Sequence, residues 1–293
     1  MKKMTVLFIL LIDAISSFQV AAAEMAASEM EVIVNGNFVR MEVPPAVIDN
    51  YTYLPIRALS SLGLSYRWEP GSKTAVVQNK AGDELKITVD QKTATKNGKS
   101  LGMETPARSQ AGRVLVPARF VTEALGYRVQ YESIRSFVFI TSPDYQTDRR
   151  LLEQNDLQIA RATAISLPIT TPFKPLAAKT YKDHAYFFPG GRADVYAFYD
   201  GYTTSVIEIK DGKAILAGQW IQSPQGNEYL GTAGTVFLLS DPALEPLIQT
   251  GVKFSRTGNG ITTDYWQEGR KEGTFTSPYK VYSDFIQRVP ENL

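Results

Sequence analysis

The chain has 293 residues, of which 44% are hydrophobic and 21% charged, a balance that belongs to globular proteins and argues against global disorder. With no cysteine and a single histidine, His184, it cannot form disulfides, use a catalytic thiolate, or build a cysteine-ligated or multi-histidine metal centre. Its 31 basic and 30 acidic residues give a formal net charge of +1, which offers no electrostatic ground for nucleic acid or an anionic membrane as main partner.

At ~150 residues per domain the length predicts two domains. The chain opens on Lys2 and Lys3, a short apolar run from Met4 to Ile12, and the small residues Ala21 to Ala23. These read as a secretory signal peptide over residues 1–23, cleaved after Ala23, although Asp13 interrupts the apolar region. The run falls well short of the ~20 residues of a spanning helix, and there is no cysteine to carry a lipid. Without Lys2, Lys3 and Asp13 the remaining charges balance. The expectation is an extracytoplasmic protein, secreted or held at the cell envelope, with no membrane span after signal cleavage.

Next comes an internal repeat, with copies at 31–77 and 93–140. Asn35-Gly36, Met41-Glu42 and Pro44 recur 62 residues later as Asn97-Gly98, Met103-Glu104 and Pro106. Tyr53-Leu54-Pro55-Ile56-Arg57 recurs as Leu115-Val116-Pro117-Ala118-Arg119. The copies then slip by one residue, so Leu62-Gly63 matches Leu125-Gly126, and Tyr66 to Glu69 matches Val129 to Glu132. The Asn-Gly pairs predict two-residue hairpin turns. Pro55 and Pro117 suit a first helical position, where a missing N–H costs nothing, and Gly63 and Gly126 suit helix stops. Strands are expected at Leu64 to Glu69, Ala75 to Gln78, Tyr127 to Glu132 and Ser136 to Thr141. Each copy is thus roughly β-β-β-α-β-β, and residues 24–143 form one α+β domain.

The first copy (Val-Asn-Gly at 34–36, Tyr-Leu-Pro-Ile-Arg, Leu-Gly, Trp-Glu) and the second (Val116-Pro117-Ala118-Arg119-Phe120 to Gly126) resemble the copper amine oxidase N-terminal-like, or stalk, domain. The resemblance covers about residues 31–141. It implies an extracytoplasmic accessory α/β module, separate from any catalytic domain. The oxidase needs three histidine ligands for copper and a quinone-forming tyrosine in an Asn-Tyr-Asp/Glu site. This chain has one histidine, and Asn50-Tyr51 is followed by Thr52, so oxidase activity and its cofactor are excluded.

Within the repeat, Pro55, Arg57, Gly63, Glu69, Pro117, Arg119, Gly126 and Glu132 form the structural motif. Arg57 and Arg119 fall in the first helical turn, where a cation opposes the helix dipole by about 0.3–1 kcal/mol. The expectation is that each clamps helix to sheet through an acidic residue kept in both copies: Glu42/Glu104 or Glu69/Glu132. The rival reading has both arginines facing a carboxylate- or phosphate-bearing polymer such as cell-wall glycan. Trp68 and Tyr131 are expected in the core rather than at a sugar-stacking face.

Asp144 to Thr163 predicts an exposed linker helix (144–164), followed by an extended segment with Pro168, Pro172 and Pro175. Residues 165–293 are expected to form a second, mainly β, α+β domain that resembles no family. Its strands are placed at Val195 to Tyr199, Ser205 to Lys210, Lys213 to Gln219, Gly234 to Ser240 and Thr274 to Thr276. Asp211-Gly212 is a hairpin turn, Pro242 to Thr250 a helix stopped by Gly251, and Lys280 to Val289 a helix or strand. Chemistry is sparse. His184 beside Asp183 has no nucleophile signature near it. Pro189-Gly190-Gly191-Arg192 lacks the ending of a phosphate-binding loop and reads as a turn. Glu228, Glu268 and Asp264 could pair as glycosidase carboxylates. Trp220, Tyr229, Tyr265 and Trp266 read first as core.

The sequence therefore predicts an exported, non-catalytic protein of the bacterial envelope, without cofactor or metal. In it a stalk-like spacer or docking unit carries a C-terminal domain that binds a cell-wall polymer or an exported protein. Two rivals stand beside it: a secreted carboxylate-dependent glycan hydrolase with its active site in 165–293, and a regulator or inhibitor of an exported enzyme.

Overall fold

The computed structural model describes residues 30–40, 45–110, 112–177, 184–223, 226–232, 250–257, 260–280 and 282–291. The expected signal peptide, the strand at Gly234 to Ser240 and all but the last residue of the helix at Pro242 to Thr250 lie outside them; Gly251 opens a strand instead. The described chain is broadly α+β, mostly strand with few helices.

At the centre of the first part, β3 (Ala46–Ile48), β4 (Tyr51–Pro55), β10 (Arg108–Gln110) and β11 (Arg113–Pro117) form a sheet in the order β10-β11-β4-β3. Strands β4 and β11 run antiparallel, with Tyr53 opposite Pro117, Leu54 opposite Val116 and Pro55 opposite Leu115. Residues 62 apart in sequence thus sit symmetrically about a point between Leu54 and Val116.

Two further sheets flank this one. In one, β1 (Glu31–Val34) and β2 (Asn37–Phe38) join β12 (Arg128–Glu132) and β13 (Phe137–Thr141), with β1 parallel to β13. In the other, β5 (Ser65–Glu69), β6 (Thr74–Gln78), β7 (Glu84–Thr88), β8 (Thr93–Lys96) and β9 (Lys99–Gly102) lie in sequence order. Asn35-Gly36 and Asn97-Gly98 close the β1–β2 and β8–β9 hairpins, all four residues having positive φ as a two-residue turn of this kind requires. The Asp211-Gly212 turn has the same form. Strand β7 was not anticipated, although its alternation buries Leu85 and Ile87 completely.

The prolines depart by one residue from expectation. Pro55 and Pro117 are the last residues of β4 and β11 and cap the helices rather than begin them. A 3-10 helix follows at Ile56–Leu62 and an α-helix, α1, at Ala118–Ala124. Gly63, in the left-handed conformation, donates its N–H to the Ser60 carbonyl, and Gly126 has a φ of 87°.

The first core, with Leu54, Leu59, Val77, Val116 and Val121, fills the space between the sheets. The β1/β13 sheet is buried on both sides. Val32, Val34, Val138 and Ile140 face this core, while Ile33, Phe137 and Phe139 face a second one with Tyr186, Phe188 and Phe254. Alternate residues of a strand point to opposite faces, which accounts for the unbroken apolar runs Val32-Ile33-Val34 and Phe137 to Ile140.

That second core lies under a nine-stranded sheet of β14 (Ile169–Thr170), β15 (Ala185–Pro189), β16 (Val195–Tyr199), β17 (Thr203–Lys210), β18 (Lys213–Ser223), β19 (Gly226–Thr232), β20 (Gly251–Thr257), β21 (Gly260–Gln267) and β22 (Arg270–Pro278). The expected exposed helix at 144–164 is corrected: a 3-10 turn at Arg149–Leu151 precedes a shorter helix, α2 (Leu157–Ile165), that buries Ala160, Arg161, Ala164 and Ile165. Small alanines four residues apart bring one face of α2 against the core. The C-terminal segment closes on a 3-10 turn, Tyr282–Phe285.

Candidate functional site: two related clefts

Two clefts lie beside the sheet of β3, β4, β10 and β11. The first has a volume of about 490 Å³ and lies between the Ile56–Leu62 helix, β5 and the start of β11. The second, of about 340 Å³, lies between α1, β12 and the start of β4. Arg57 and Trp68 line the first; Arg119 and Tyr131 line the second. Each cleft also takes a wall from a segment distant in sequence: Gly112, Arg113 and Val114 in the first, Asn50, Tyr51 and Thr52 in the second.

The expected clamp by Arg57 and Arg119 is therefore corrected. Both side chains are exposed. Arg119 approaches Glu123 at 3.8 Å, one helical turn away. Arg57 forms no ion pair with a described carboxylate, and neither do Arg40 and Arg113 in the same cleft. Glu69 is taken by Arg67 and Ser72, and Glu132 by Arg135; Glu42 lies outside the described residues. The physical reason is geometric: the acidic residues end β5 and β12 at the hairpins, where an arginine two residues before (Arg67) or three residues after (Arg135) reaches them first.

The core placement of Trp68 and Tyr131 is corrected too. Trp68 is 38% exposed and Tyr131 49%. They lie on β5 and β12, the outer strands of their sheets, and stay partly open to solvent beside the helices. Tyr66, also 38% exposed, lies two residues before Trp68 on the same face of β5, about 7 Å away along the strand. Tyr66 and Trp68 pair with Val77 and Ala75 of β6, so they share the core's face but stand at its rim, one strand beyond the buried row.

The two clefts differ in charge. The first carries Arg40, Arg57 and Arg113 and no described acidic residue. The second carries Arg119 with Glu104 and Glu123.

The C-terminal candidates are occupied by structural partners. The Tyr282 hydroxyl lies 3.1 Å from His184 Nε2, and the imidazole lies against the Phe285 ring; Asp183 is outside the described residues. Pro189 to Arg192 forms a turn whose Gly191 N–H donates to the Glu291 carboxylate at 2.7 Å. Asp264 is bonded by Lys271 at 2.6 Å and Thr274 at 2.7 Å; burial pushes its pKa up, but these partners hold it below the usual carboxylate range. Glu268 is exposed on the β21–β22 turn, Glu228 falls on β19, and Trp220 is buried. Among the described residues no three His, Asp or Glu side chains cluster as a metal site, and no helix is long and apolar enough to cross a membrane.

Residues 33–140, which carry both clefts, match the model of the copper amine oxidase N-terminal domain. This part of the chain is a copper amine oxidase N-terminal-like domain, and the match ends on β13. No curated protein matches the chain.

Proposed function

We propose that this is an exported, non-catalytic protein of the bacterial cell envelope, in which the copper amine oxidase N-terminal-like domain is a docking unit rather than a bare spacer. Residues 31–140 are read as two copies of one unit, related by a local two-fold between Leu54 and Val116. The C-terminal sheet is the part presented by the docked module. The observation that carries the reading is the first cleft. Three arginines and two aromatic side chains stand open to solvent there, where a spacer would have no use for them. The leader-like residues 1–23 supply the export step.

The test is fractionation of the producing cells, followed by sedimentation of the whole exported protein with insoluble cell-wall material. Recovery outside the cytoplasm and co-sedimentation with the wall are expected. A cytoplasmic protein, or one that stays in the supernatant, defeats the reading.

A further inference from the structure

We propose that the first cleft binds a uronate-type glycan, a sugar chain whose rings carry carboxylates, and that the second cleft does not. This rests on the docking role above and names its ligand class.

The argument begins with charge. Arg40, Arg57 and Arg113 converge on one cleft from three places in the sequence: the segment after β2, the first helix and the start of β11. None of them is neutralised by a described carboxylate. Guanidinium groups grip carboxylates through two parallel N–H donors, and such charge-assisted bonds are about twice as strong as neutral ones. An anionic ligand is thus favoured by several independent donors, and an acidic wall does not oppose it.

The aromatics then select what carries the anion. Tyr66 and Trp68 project from the same face of β5, spaced so that successive rings of an extended chain can each meet one. Exposed aromatics with polar tips suit a surface that is apolar on one side and hydroxylated on the other, as a pyranose is. Ser60, Ser61 and Ser109 supply hydroxyls along the same cleft for the sugar hydroxyls. A polyol-phosphate polymer would satisfy the arginines and leave both aromatic faces unused. An acidic peptide would do the same unless aromatic itself.

The second cleft is a built-in control. It keeps the aromatic, Tyr131, and the arginine, Arg119, yet Glu123 lies 3.8 Å from that arginine and Glu104 adds a further negative charge. A carboxylate-bearing chain entering it would meet like charge.

Calorimetric titration of the whole exported protein with oligogalacturonate tests the assignment. Saturable binding that weakens with added salt is expected. Arg57→Ala and Trp68→Ala should each weaken it about tenfold or more, and Arg57→Lys, which keeps the charge but not the two-donor fork, should fall between. Arg119→Ala and Tyr131→Ala should bind as the parent does. All these side chains are exposed, so unchanged circular dichroism confirms that the variants fold. Absence of binding, equal loss in second-cleft variants, or equal binding of poly-glutamate or polyglycerol phosphate would overturn the proposal. Wall co-sedimentation without oligogalacturonate binding would defeat this ligand while leaving the docking role standing; loss of both would defeat both.

Discussion

Glu31 shows how one side chain can tie the two ends of the chain together. It lies on β1, accepts a 3.0 Å hydrogen bond from the Tyr279 hydroxyl, and is pushed up to about pKa 7 by burial, against the lowering effect of that bond. The Arg256 guanidinium lies 4.5 Å from the Tyr279 ring. A carboxyl whose folded pKa exceeds its unfolded value of 4.5 holds an extra proton in the native state. Stability is then highest below about pH 4.5 as far as this group is concerned, and is lost as pH rises through about 7. Glu31→Gln should remove that slope and raise the urea midpoint at pH 8, a comparison made by denaturation at pH 5 and pH 8. A parallel shift of parent and variant at both pH values would contradict it.

Arg135 is the other decisive residue. Its side chain is fully buried beside Glu132, and it donates to the Ile165 carbonyl at 2.7 Å and the Leu167 carbonyl at 2.8 Å, at the C-terminal end of α2. Burial disfavours its cation, yet Glu132 keeps the pKa well above the ordinary arginine value. Removing one member of such a pair leaves a buried charge without its partner, so Arg135→Ala or Glu132→Ala should cost about 3–5 kcal/mol in equilibrium unfolding. A loss under about 1 kcal/mol would mean that the pair is solvated in the native state.

At the scale of elements, turn chemistry was the most legible part of the sequence. Asn-Gly and Asp-Gly pairs carried their conformation with them, because few other residues accept two positive φ values in succession. Gly63 illustrates the energetics: a Cβ there would meet only the flexible end of Lys80, at 3.3 Å, so the cost of Gly63→Ala is backbone strain alone. That cost should be about 1 kcal/mol, read as a small drop in melting temperature. Burial at sheet edges was less legible. Trp68 and Tyr131 look like core residues by type, but each sits on an edge strand at the rim of the core and stays partly exposed. Arg57 lacks its expected partner for a local reason: Glu69 is claimed by Arg67, two residues before it on β5. Strand β7 was less legible because its alternation spans only Glu84 to Thr88, with Leu85 and Ile87 the sole apolar positions.

For the whole molecule, β1 and β13 sit between two cores, with Ile33, Phe137 and Phe139 packed among residues of the C-terminal sheet. The family match ends on β13, but the packing does not. Arg135 and Glu31 reinforce the same junction. The described chain should therefore unfold in one cooperative step, with far-ultraviolet and tyrosine/tryptophan signals superimposable; two separated transitions would show that the halves are energetically independent.

The central claim is that the first cleft, and not its relative, is the docking face. The most direct measurement is sedimentation of the whole exported protein with insoluble cell-wall material, comparing the parent with a first-cleft variant (Arg57→Ala with Trp68→Ala) and a second-cleft variant (Arg119→Ala with Tyr131→Ala). The account predicts that the parent and the second-cleft variant pellet with the wall while the first-cleft variant stays in solution. Equal pelleting of all three would contradict it.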